Sequence, residues 1–394
     1  MKKNNFLLLI GIPILLLSCG QKVSESKQIL VSNSMATDRE HETVSVDLSL
    51  LELVKPKRHI VLKDAETKER VVSQLIDSDG DGNPDALLFQ PKIPANGEKL
   101  FEVTTTNTNA PQEVDSIPAC YSRFVPERTD DYAWENNRVA FRTYGPTAQK
   151  MVEEGIKGGT LSSGIDAWLK RVDYPIINKW YKKELETDGS YHKDTGEGLD
   201  NFHVGSSRGV GGIAKKVDTT YYFSKNFTSW KTLCTGPIRT SFVLTYANWD
   251  AAGNTISEEK RISLDYGSNL SRFEITLRGT DTISAGLTLH EKDGEIGVDE
   301  KMGWLSYWEP HEDSELGTAI VVPENGLVGH EHYLTDKKDE SNLFAHIKKR
   351  DNKVTYYAGF GWKKSGQFAT KAAWEDYVKD FALRLKNPML VEVK

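Results

Sequence analysis

Apolar and polar residues alternate with a period of two along much of this chain. The pattern is clear in His59-Ile-Val-Leu, Lys99-Leu-Phe-Glu-Val-Thr and Arg239-Thr-Ser-Phe-Val-Leu-Thr-Tyr, and again from Arg261 to Leu277. That period predicts strands with one face buried. Residues 44–115 read as a small β module, and residues 116–394 as a larger body of many strands joined by Gly, Asn and Asp turns. Such a series favours a sandwich over alternating β and α units. Two intervals break the pattern. Apolar residues three and four apart in Ile165-Asp-Ala-Trp-Leu-Lys-Arg-Val and Ile176-Ile-Asn-Lys-Trp-Tyr predict helix, ending at Asp188-Gly189. Near the C-terminus Trp374, Tyr377, Val378, Phe381 and Leu385 share one helical face, and Pro388 stops that helix. No internal repeat is visible.

The N-terminus reads as an address. Lys2 and Lys3 precede an apolar run, Phe6 to Leu17, that ends in Leu16-Leu17-Ser18-Cys19. The run is too short for a membrane span, which needs ~20 residues, and it fits an export signal of residues 1–18. The small residue before Cys19 suits cleavage and lipid transfer to that cysteine, although an ordinary signal with an incidental cysteine would look similar. Residues 19–43, rich in Asn, Ser and Thr, read as a flexible tether. The expected location is the cell envelope, at the periplasmic face of the outer membrane, with the lipid as the only membrane contact.

The chain has 394 residues, 38% hydrophobic, enough for a large core. A formal charge of −7 argues against nucleic acid as a partner and requires any anionic ligand to find a local cationic pocket. Besides Cys19 only Cys120 and Cys234 remain, and the sequence leaves their pairing open.

Chemistry concentrates in Tyr191-His-Lys-Asp-Thr-Gly-Glu-Gly-Leu-Asp200-Asn-Phe-His203-Val-Gly-Ser-Ser-Arg208-Gly-Val-Gly-Gly. Glycines allow close backbone approach to a ligand, and Tyr191, His192, Lys193, His203 and Arg208 are candidate site residues; a solvated loop with its own ion pairs is the plainer reading. A strand through Gly329-His330-Glu331-His332 would set His330 and His332 on one side, where they could line a cleft. His290 and His311 flank Trp304-Leu-Ser-Tyr-Trp308, whose rings could stack on sugars or simply fill core. The acidic turn Asp77, Asp79, Asp81 and Asp85 matches the first half of a calcium loop, but Leu88 stands where a bidentate Glu belongs. A structural calcium is the ion this turn suggests, and Asx hydrogen bonds alone would explain it; the His330 and His332 pair could also bind a metal or pass protons.

Tyr191-His-Lys-Asp-x-Gly-Glu-Gly-x-Asp, the Gly-rich segment after Val204, Gly236-Pro-Ile-Arg and Leu264-Asp-Tyr-Gly-Ser-Asn-Leu together resemble an uncharacterised-domain family of exported proteins from polysaccharide-degrading bacteria. One branch of it resembles the oligosaccharide dehydratases of ulvan breakdown. The strand-rich second half is also similar to the β-supersandwich of galactose mutarotases and polysaccharide lyases. The resemblance implies a cofactor-free hydro-lyase acting on the non-reducing-end uronate of sulfated oligosaccharides. Alternatives are a polysaccharide lyase cleaving the glycosidic bond by the same proton abstraction, and a non-catalytic oligosaccharide-binding lipoprotein. Loss of water across C4–C5 needs a cation for the carboxylate, a base at C5 and an acid at the leaving hydroxyl. Arg208 and Arg239 are candidates for the first task, and His203, His192, Lys193, Tyr191, His330 and His332 for the others.

The anchor reading has a direct check. Cys19→Ala is expected to move the protein from the membrane to the soluble fraction without changing its circular dichroism, and a variant that still sediments with membranes overturns it.

Overall fold

The structure, a computed structural model, describes residues 27–51, 60–105 and 118–394. The signal, Cys19 and the start of the tether lie outside these residues. The rest of the tether does not behave as one. Lys27–Ser32 is a strand held between Glu98–Thr105 and the C-terminal strand Leu390–Val393. Ile29 and Val31 are fully buried in it, and the period-two apolar spacing at Ile29 and Val31 is the signal that composition had masked. The N-terminal module is thus two small sheets closed over Val44, Leu62, Leu87, Phe89, Phe101 and Val103, with the last strand of the chain added to it. The chain therefore does not end at its helix: Lys371–Lys386 is helical, and after Pro388 the backbone returns to the module.

The larger body is mainly β. Its largest sheet has nine antiparallel strands, including Arg239–Tyr246, Asn254–Asp265, Leu270–Arg278 and Trp304–His311. A five-stranded sheet containing Val210–Val217, Thr282–Thr288 and Asn342–Lys348 supplies Ile213, Leu287 and Leu343 to the same apolar core as Phe242, Ile262 and Phe273 of the large sheet. Another five-stranded sheet, running through Asp131–Glu135, Ala140–Thr143 and Asp166–Lys170, adds Trp134, Phe141 and Leu169 to that core.

Asp166–Lys170 corrects the helix expected from Ile165 to Val172. Every residue of the strand is buried, so its apolar run shows no alternation, and periodicity alone cannot separate such a strand from a buried helix. The second helix expected there does form, over Ile177–Glu186. No helix among the described residues is long and apolar enough to cross a membrane. Cys120 and Cys234 are free thiols, and burial pushes both above the ordinary cysteine range.

Trp304 and Trp308 are buried with Phe368, Trp374 and Val378 beneath the C-terminal helix. They are core, not an exposed stacking platform, because that helix covers the face of the strand carrying them. Trp308→Ala is expected to lower the unfolding free energy by ~3–5 kcal/mol, measured by urea denaturation. A variant as stable as the parent but defective in sugar binding would restore the stacking role.

Candidate functional site

The site grows from one register. Arg142 and Asp166 lie directly opposite each other on adjacent antiparallel strands, and Arg142 opposes Ala133 on the other side. Opposed residues share a face, and Asp131, two residues from Ala133, shares it too. The Arg142 guanidinium donates to Asp166 Oδ2 at 2.5 and 2.9 Å, to Asp200 Oδ2 at 2.9 Å and to the Tyr191 hydroxyl at 3.2 Å. Asp131 is 3.7 Å away and accepts from the Tyr181 hydroxyl at 3.1 Å. The Tyr144 hydroxyl donates to Asp166 Oδ2 at 3.3 Å. Trp168, Trp180, Tyr181 and Tyr191 pack around this cluster and keep it dry.

Above the cluster opens a cleft of about 480 Å³ whose lining includes Arg142, Tyr144, His192, Asp200, Phe202 and His203. His192 Nδ1 lies 2.6 Å from the Asp200 carbonyl. A carbonyl only accepts, so Nδ1 donates to it, and in the neutral tautomer this leaves the lone pair on Nε2. His203 is exposed at the rim, its Nε2 3.0 Å from Asp339. An unbroken series of contacts thus joins His192 to Asp200, Arg142, Asp166 and Tyr144.

Burial sets the protonation of this network. It pulls against the charge of Arg142, but Asp200 and Asp166 overcome that and hold the guanidinium well above its ordinary range. Burial raises Asp166, with the nearby Asp200 carboxylate adding to it, and burial also raises Asp200. Asp131 is pushed up to about 6 by burial against the pull of Arg142. Asp131 Oδ1 and Asp166 Oδ1 are buried without hydrogen-bond partners, so a retained proton has room on either. Tyr144 is held well above the ordinary phenol range by burial and the Asp166 carboxylate, and stays protonated.

Only part of the expected constellation gathers here. Among the expected site residues, His192 and His203 line the cleft. Tyr191 is buried beneath it, packed at a tilt against Trp168 and bonded by Arg142, so it positions and does not face a ligand. Lys193 is exposed and outside the lining. Arg208 is 2% exposed; it donates to Ser163 Oγ, Ile213 O and Ser206 O and lies 3.9 Å over the Phe223 ring. Burial pulls it down to about 10. A side chain enclosed on every side cannot clamp a carboxylate. Arg239 forks onto Asp265 at 2.6 and 2.7 Å in a separate cleft of about 400 Å³ between the module and the main body. Arg272 and Arg384 in that cleft pair with Glu274 and Asp380. His330 and His332 do share one face, but it is the outer face of the edge strand Leu327–Tyr333, where His330 bonds Glu300.

In the acidic turn, oxygens of Asp77, Asp79 and Asp85 come within 4.8 Å of one another and Asp81 stays outside the group. Asp77 caps Gly80 N and Gly82 N, while Lys231 and Arg261 bond the turn's carbonyls.

Arg142, Tyr144, Asp131 and Asp166 were missed. For Arg142 and Asp166 the signal was a charge inside an apolar run, Ala140-Phe-Arg-Thr-Tyr and Ile165-Asp-Ala-Trp-Leu, which is tolerated in a buried strand only with a partner.

Fold and site together define a mainly β protein with an acid–base cleft walled by one of its sheets. The chain belongs to the family described as a domain of unknown function (DUF4861), which it matches over residues 31–391. It is 55% identical over 397 residues, covering all of both chains, to a protein of Formosa agariphila described as "Uncharacterized protein P7". Among solved structures, a protein in the glycosyl hydrolase family 38 from Enterococcus faecalis shares the fold with a TM-score of 0.51 at 9% identity, over 94% of this chain and 47% of that one. An alpha-mannosidase from Enterococcus faecalis gives a TM-score of 0.47 at 10% identity, over 94% and 46%. The chain spans about half the length of these two structures.

The raised Asp131 makes stability depend on pH. Its folded value exceeds the ~3.9 of an unfolded aspartate, so the folded state holds the extra proton between the two values. The stability it contributes is present below the unfolded value and lost as pH rises through about 6. Asp131→Asn removes that loss. Its melting temperature is expected to exceed the parent's at about pH 8 and to match it near pH 4; an equal difference at both overturns the assignment.

Proposed function

We propose that this cleft is the active site of a carbon–oxygen lyase that removes water from the terminal uronate of an anionic oligosaccharide of the ulvan type, leaving a 4,5-unsaturated sugar. The observation that supports it is the connected series from His192 to Tyr144, with an imidazole whose Nε2 lone pair is free and a phenol that keeps its proton, both on the wall of one cleft.

His192 takes the proton from C5 on Nε2. The imidazolium it becomes is stabilised by the Asp200 carboxylate, 3.7 Å from Nδ1. Tyr144 gives its proton to the departing hydroxyl at C4, and the proton that His192 took from C5 returns to Tyr144 through solvent in the open cleft once water has left. The C5–H and C4–O bonds break, the C4–C5 double bond forms and water leaves. The substrate carboxylate faces the cleft's polar lining at Thr160 and Asn201, whose side chains can donate hydrogen bonds to the charge developing next to C5. A lipid on Cys19 would hold this reaction at the cell envelope.

The test is incubation with uronate-terminated oligosaccharides, followed by ultraviolet absorbance of the unsaturated product and by mass. Loss of water is expected. Chain scission would make it a glycosidic-bond lyase, and no change in either signal would leave a binding protein. His192→Ala and Tyr144→Phe, each shown to be folded by melting, are expected to lower kcat by ~10²-fold or more, the usual worth of a general acid or base. Near-parent turnover in either removes that residue from the mechanism.

A further inference from the structure

Beside the cleft, and independent of the reaction assigned to it, three side chains from different parts of the sandwich converge. Glu309 and His311 are two residues apart on the strand Trp304–His311 of the nine-stranded sheet and so share a face. His290 follows the strand Thr282–Thr288 of the five-stranded sheet. One ligand atom from each lies within 4.8 Å of the other two.

What is unusual is the balance of donors and acceptors. His290 Nε2 lies 3.1 Å from the backbone carbonyl of His203. That carbonyl accepts, so Nε2 donates to it and Nδ1 faces Glu309 Oε1, 2.6 Å away. A hydrogen bond at that distance holds a proton between ring and carboxylate, in a place that a metal ion can take. In addition Glu309 Oε2 and His311 Nε2 are buried with no hydrogen-bond partner, and the two residues are 1% and 8% exposed. Leaving such groups unpaired costs ~1–3 kcal/mol each.

We infer that His290, Glu309 and His311 form a binding site for one divalent transition-metal ion of the zinc class. Two imidazoles and one carboxylate suit that class, whereas calcium and magnesium prefer shells of oxygen. The bond from His290 Nε2 to a backbone carbonyl is the outer-shell contact that orients a metal-bound histidine. On binding, the proton shared between His290 and Glu309 leaves and the ion takes its place, so binding releases protons. Three protein ligands leave a fourth coordination position. The ion would join the two facing sheets and, through His290, fix the backbone of His203. Phe202, one residue earlier and in the cleft lining, packs edge-on against His290 with ring centroids 4.6 Å apart.

The experiment uses the full protein, stripped with chelator and titrated with Zn2+ and with Co2+. One equivalent of Zn2+ is expected to bind and to raise the melting temperature. Co2+ is expected to show the d–d absorption of a low-symmetry nitrogen and oxygen site. Because losing even an outer-shell partner costs 10–100-fold in affinity, His311→Ala and Glu309→Gln are expected to weaken binding by ~100-fold or more. A double variant of the surface pair, His330→Ala with His332→Ala, is expected to bind as the parent does. No stoichiometric binding by the parent overturns the site, as does undiminished binding by His311→Ala and Glu309→Gln, or loss of binding in the surface double variant. If the ligand variants do not fold, X-ray absorption of the zinc-loaded parent decides: two imidazoles in the first shell support the site, and fewer overturn it. Since metal binding is read directly, failure of the lyase assay does not affect this result.

Discussion

The guanidinium of Arg142 has been taken out of water, and everything around the cleft follows from having to pair it. Removing an ion from water costs several kcal/mol even after relaxation, and breaking a buried pair leaves its partner uncompensated. Arg142 meets that cost with Asp166, Asp200 and, at longer range, Asp131. Those residues come from two neighbouring strands and a loop, so one planar fork fixes the spacing of the sheet and the path of residues 191–200. A lysine, with a compact charge, could not span the same three acceptors in plane. The arrangement repeats at Lys170 and Glu135, whose side chains are fully buried against each other. Glu135 also accepts the backbone N–H groups of Ile176 and Ile177 at the start of the helix Ile177–Glu186, which seats the helix that roofs the cluster.

Dryness has two consequences with one cause. The aromatic packing of Trp168, Tyr181 and Tyr191 excludes water, which strengthens each charge-assisted bond in the network and raises the carboxylates that cannot all be satisfied. Three aspartates around one buried arginine keep a proton at values where a solvated aspartate has lost it. Such a site is less stable near neutral pH than an apolar one of the same shape, and it holds protons that chemistry can use. That exchange of stability for poised groups is a recurring feature of active sites.

The loop from Tyr191 to Gly205 is anchored on both flanks. At one end Tyr191 is packed in the aromatic box and Asp200 is bonded to Arg142. At the other, the His203 carbonyl meets His290 and the His203 ring meets Asp339. Between these anchors the His192 and His203 rings remain exposed, so a glycine-rich segment presents its polar groups from a fixed frame.

The alternation of apolar residues was enough to determine a mainly β body, the helix Ile177–Glu186, the C-terminal helix and the loop that carries His192 and His203, because strand and helix periods act over a few residues. The strand Asp166–Lys170 was legible only as an apolar run, since burial on both faces erases the period. Which charges matter was not written locally. Arg208 sits in the most polar stretch of the chain and is sealed in the core, while Arg142 sits in an apolar strand and reaches the cleft. Glu309 likewise meets His290 and His311 across two sheets, although the sequence offered those histidines only as flanks of an aromatic run. Tertiary structure decided these because burial and pairing depend on the register between strands, and register is set by the whole core.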